Sequence, residues 1–166
     1  MVRGKQGYTV EMESLPARLA VRADPETARR LFHTLLCLFP SPSSLSIRFR
    51  DAEGDHTWGK AAVSRAAIAE AFESLSEFVV SGQRIQVIVA SDEIGAEMSV
   101  TGGGEIRVTA EDIGPFEKVV EEYDLPALRR GSVPATPRLG PASHLGGEAA
   151  TLDNTLERLR LTPKSH

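Results

Sequence analysis

Apolar residues along the first 128 positions recur with two periods that take turns. Tyr8-Thr9-Val10-Glu11-Met12-Glu13 and Arg18-Leu19-Ala20-Val21-Arg22 carry apolar side chains at alternate positions, the period of a half-buried strand. They predict an opening hairpin around Pro16. From Asp24 the period changes: Ala28, Leu31, Phe32, Leu35, Leu36 and Phe39 fall three and four apart and form one helical stripe. Asp24-Pro25-Glu26 is a helix start for three separate reasons. Aspartate accepts from the orphan N–H groups, proline suits the first helical position, and glutamate favours the positive end of the helix dipole. Pro40 and Pro42 end the helix.

Strand alternation returns in Leu45-Ser46-Ile47-Arg48-Phe49. A turn over 51–55 and a short return strand, His56-Thr57-Trp58, follow it. Ser64 caps a second helix with Ala67, Ile68, Ala71, Phe72, Leu75 and Phe78 on one face, ended by Gly82. Residues 84–90 form a β-branched strand, and 97–101 with 105–109 form a hairpin around Gly102-Gly103-Gly104. A third helix is expected over 111–123, with Ile113, Phe116, Val119 and Val120 inward. The fold class predicted is α+β: a largely antiparallel sheet of about five to seven strands, with three helices mainly on one face. Leu19-Ala20-Val21-Arg22-Ala23-Asp24 and Ile106-Arg107-Val108-Thr109-Ala110-Glu111 echo one another as strands leading into helix starts.

The periodicity stops near Leu128. Residues 1–128 are expected to form the compact domain, 129–150 a linker rich in Pro, Gly, Ser and Ala, and 151–166 a flexible tail with an amphipathic peptide. Leu152, Leu156 and Leu159 recur at four and three in that peptide. A helix of about ten residues is marginal alone in water, so it needs a surface, either on its own domain or on another chain. Arg129-Arg130-Gly131-Ser132 in the linker has the pattern of a basophilic phosphorylation site.

Charge sharpens this division. Residues 1–128 hold 13 Lys and Arg against 20 Asp and Glu, whereas 129–166 hold 6 against 3. An acidic domain disfavours nucleic acid, whose binding rests on phosphate neutralisation, and suits a basic protein partner. No apolar run is long enough to cross a membrane and no signal peptide is read at the N-terminus, so a cytoplasmic protein is expected. The single cysteine, Cys37, lies in an apolar helical run and reads as a buried structural thiol.

Candidate chemistry is sparse. Asp51, Glu53, Asp55 and His56 form the densest polar cluster, but counting from Asp51 as an EF-hand loop puts His56 where glycine belongs and Ala62 where the bidentate glutamate belongs. It reads as a solvated turn. The triple glycine lacks the following Lys-Ser/Thr and precedes a strand, so it is no phosphate loop. No metal, cofactor or catalytic residue is assigned. The function expected is a non-catalytic protein–protein interaction module: a regulator, an adaptor or an immunity-type inhibitor, with a protein partner or a second copy of the chain. Its interface residues are Trp58, Asp51, Glu53, Asp55, Leu152, Leu156 and Leu159. The alternative is a small enzyme or ligand-binding domain assembled from distant Asp92, Glu93, His33 and His56.

Overall fold

The computed structural model describes residues 6–13, 15–82, 84–128 and 147–164. Seven strands appear where alternation places them: β1 (Gly7–Glu11), β2 (Ala17–Arg22), β3 (Ser43–Asp51), β4 (Gly54–Val63), β5 (Ile85–Ser91), β6 (Ala96–Thr101) and β7 (Glu105–Ala110). The helices are α1 (Pro25–Leu36), α2 (Arg65–Val80), α3 (Gly114–Glu121) and α4 (Glu148–Leu159). An eighth strand, β8 (Thr162–Pro163), takes the sheet beyond the five to seven predicted. Two residues carry no period, so β8 is defined only by its pairing with Trp58 and Gly59. The sheet is antiparallel throughout, in the order β1-β2-β7-β6-β5-β3-β4-β8. The α+β class is as expected. The two echoing segments lie side by side in β2 and β7, with Leu19 opposite Val108 and Val21 opposite Ile106.

The four helices of the described residues lie on one side. α3 packs over β2, α1 over β7, α2 over β5 and β6, and α4 lies beside α2. The alternation of β2, β5, β6 and β7 sends Leu19, Val21, Val87, Val89, Met98, Val100, Ile106 and Val108 into this layer, where each is buried. At its centre the rings of Phe32 and Phe72 stack 3.8 Å apart and lock α1 to α2. Asp24 caps α1, accepting from both the backbone N–H and the hydroxyl of Thr27. The Thr27 hydroxyl, followed by its N–H, holds the Asp24 carboxyl below the usual carboxylate range. Because this pKa is lowered on folding, the cap's contribution is fully present above the unfolded value of about 3.9. It is lost as the pH falls through the folded value.

Three local readings change. α3 is shorter than the predicted 111–123, because Asp112 accepts from Gly114 N–H and holds the preceding residues in a turn. β4 runs to Val63 rather than stopping at Trp58, with a register shift between Ser43 and Leu45 that hides its alternation. Cys37 is exposed, not buried. It follows α1 as its C-cap, about 100° round from Leu36 and off the apolar stripe.

The C-terminal peptide folds onto its own chain. α4 begins at Glu148, within the stretch read as linker, and buries Leu152 and Leu156 in the common core, with Leu161 buried just beyond it. Glu148 itself is 3% exposed and pairs with Arg84, 6% exposed, at 3.1 Å. The Arg84 guanidinium also lies 4.8 Å above the Phe49 ring and donates to the Arg50 carbonyl. Residues 129–146, including the Arg-Arg-Gly-Ser pattern, lie outside the described residues.

Candidate binding surface

The inward residues of each strand leave a second set facing away from the helices. Cross-strand register sorts that set into rows. One row runs Glu11, Arg18, Thr109, Glu97, Ala90 and Ser44 across β1, β2, β7, β6, β5 and β3. The next runs Thr9, Ala20, Arg107, Ser99, Ile88 and Ser46. Among the described residues no helix crosses this face.

The two ends of the face differ. At one end, guanidiniums and carboxylates form shared pairs. Glu105 bonds Arg22 at 2.7 Å and Arg107 at 3.1 Å, while Asp55 bonds Arg50 at 2.7 Å and Arg48 at 3.0 Å. Gln86 and Thr101 lie buried between these groups. The Arg50 hydrogen bond holds the Asp55 carboxyl below the usual range, against the opposing effect of burial and with further help from Arg48. At the other end Arg18 and Glu97 are exposed, and Ala20, Ile88, Ala90, Thr109 and Ser44 are half-buried. Ile88 and Ala90 lie two residues apart on β5, Ala20 lies three strands away beyond Ser99 and Arg107, and charges of both signs stand among them.

The acidic surplus of the domain lies elsewhere, in the helical layer. Glu70, Glu73 and Glu77 on α2 are exposed, as are Glu121 and Glu122 at the end of α3. The overall charge therefore does not describe the sheet face.

The sequence-derived interface residues occupy three different settings. Asp51 closes the β3–β4 turn, accepting from the N–H groups of Glu53 and Gly54, and its carboxylate meets His56 at 3.0 Å. Asp51, Glu53 and His56 bring one ligand atom each within 4.8 Å of one another, but the Asp51 carboxylate already serves the turn. Asp55 belongs to the arginine cluster, and Glu53 is exposed. Trp58 lies on the helical side of β4, opposite Ile47, partly buried and stacked on His56 at 5.9 Å. Leu152 and Leu156 are buried within the chain and Leu159 is partly buried against the same core.

The alternative catalytic set does not converge. His56 lies at the β3–β4 turn, whereas Asp92 and Glu93 form the β5–β6 turn at the opposite end of the antiparallel pair β3–β5. His33 belongs to the helical layer, where its Nε2 bonds Glu73 and its ring packs edge-on to Phe72. Arg18, Ala20, Ile88, Ala90 and Thr109 on this face are not among the candidate residues read from the sequence. Their signal was the outward half of each alternation, which reveals a face without saying whether it is covered. No family model, curated protein or solved structure matches this chain.

Proposed function

We propose that this chain is a non-catalytic protein-binding module and that the sheet face crossed by no described helix, from Ala20 to Ile88 and Ala90, receives the partner. The observation that carries this reading is the one-sided fold. The eight-stranded sheet has the four helices of the described residues on one side and, on the other, a mixed face of half-buried apolar and exposed charged residues. Six strands span about 24 Å at about 4.8 Å per gap. That approaches the width of a patch of about 800 Å² per partner, the usual size for specific complexes. The scattered placement of His33, His56, Asp92 and Glu93 supports the same reading against the enzymatic alternative.

The test compares two charge variants of the full chain as baits, with recovery from the source organism's lysate quantified by mass spectrometry. Arg18→Glu with Ile88→Lys alters the patch, and Glu77→Lys with Glu122→Lys alters the helical layer. The first pair is expected to lower recovery of a specific partner at least tenfold, while the second leaves it within twofold of the native chain. Loss confined to the helical-layer variant would move the interface there and reject the patch.

A further inference from the structure

Beside β8, the C-terminal segment and the edge of the sheet border an open groove of about 430 Å³. Among the described residues its charged lining is Lys60 from β4 and Arg160 and Lys164 from the chain after α4, with no carboxylate. Most other arginines of the sheet face share an acid. These three cations, all exposed, have no ion-pair partner among the described residues.

The groove is shaped to hold them. Arg160 takes a left-handed conformation, φ 53°, that ends α4 and turns the chain towards β4. Lys164 N–H donates to the Thr57 carbonyl at 2.8 Å, which fixes the backbone beneath its side chain. The Lys164 stem crosses Gly59, where any β-carbon would collide with it, and its Nζ donates to Ser46 Oγ at 2.6 Å. Lys60 Nζ approaches the Leu159 carbonyl at 3.4 Å. An ammonium has three protons and a guanidinium five, so each lysine keeps two donors free and Arg160 keeps its fork. Ser44 and Thr162 already donate to the carbonyls of Ala90 and Gly59, so the unengaged donors of the lining side chains are cationic.

Three cations that line one groove with no acid among the described residues repel one another, and a multivalent oxyanion removes that repulsion while accepting several charge-assisted bonds. The carbonyl end of α4 opposes an anion with only about half a charge. We propose that the β4–β8 groove is a binding site for a small phosphoryl anion carrying two or more charges. Two of its three cations come from the segment after α4, so the site exists only when that segment is docked. Ligand binding therefore stabilises the docked state by mass action.

Inorganic pyrophosphate titrated into the full chain at constant ionic strength tests this, with backbone amide shifts and melting temperature as readouts. The expected result is saturable shifts centred on Gly59, Ala61 and Thr162 and a raised melting temperature. Both should weaken at least tenfold in Lys60→Gln with Arg160→Gln. Arg30→Gln with Lys118→Gln, which removes two exposed cations elsewhere, should bind as the native chain does. An absence of saturable shifts in the native chain would overturn the site. So would equal binding by the groove variant, which would leave only the general effect of an excluded salt. The native-chain shift map stands as the test if the groove variant fails to fold.

Discussion

Gly104→Ala is expected to destabilise the fold by about 3 kcal/mol or more, whereas Gly103→Ala one residue earlier costs about 1 kcal/mol. Both glycines have positive φ, +79° at 103 and +71° at 104, so each alanine pays a similar backbone penalty. They differ in what a β-carbon meets. At 103 nothing lies within 4 Å, while at 104 the new atom would overlap the carbonyl oxygen of Ala23. That obstacle is backbone and cannot rotate away. The same place holds the Ala23 N–H to Gly104 carbonyl bond, 3.0 Å, which ties the β6–β7 turn to the start of α1. Forcing the two apart endangers that bond, worth about 1 kcal/mol, and the Asp24 cap next to it, worth about as much. In thermal denaturation the 104 variant should melt about 10 °C lower, at about 2–4 °C per kcal/mol for a chain of this length. Equal melting of the two variants would mean that the turn does not brace α1.

The second large effect concerns the buried pair between Arg84 and Glu148. Glu148→Ala leaves a guanidinium that is 6% exposed without its carboxylate, and breaking such a pair from one side costs about 3–5 kcal/mol. Undocking α4 limits that cost, since the freed arginine regains water once the helix leaves. Hydrogen exchange at residues 151–161 should therefore accelerate by two orders of magnitude or more, while α1 and β5 remain protected. Arg84→Met combined with Glu148→Leu should restore much of the protection, because two apolar side chains of similar volume carry no desolvation cost. The recovery will be incomplete, as Arg84 also serves the Arg50 carbonyl and the Phe49 ring. Unchanged exchange in Glu148→Ala would show that Leu152, Leu156 and Leu161 hold the segment without the ion pair.

These two devices mark the limit of what local pattern reveals. Alternation placed β2, β3, β5, β6 and β7, and the three-and-four spacing placed α1 and α2, because each element buries one face and repeats that requirement along its length. The cap at Asp24 was legible since all its partners lie within three residues. Arg84 and Glu148 are 64 positions apart, and no period links them. Glu148 stands among Gly and Ala with no apolar period around it and would ordinarily face water, so the start of α4 was hidden with it. The apolar spacing of Leu152 and Leu156 did announce a docking helix, while its destination on the chain's own α2 depended on that distant pair. The candidate surface was half legible in the same way. Arg18, Ile88 and Thr109 stand out as the outward positions of their strands, but only the placement of the four described helices on one side shows that, among the described residues, no helix crosses their face.

The proposed meeting place with a partner is that face. Photo-crosslinking by benzoylphenylalanine at Thr109 or Ala90, compared with Glu77 or Glu122, examines it directly in the organism's own cells. The prediction is one discrete covalent adduct from each sheet position and none from the helical positions. An adduct from Glu77 or Glu122 alone would contradict it and assign recognition to the acidic helical layer.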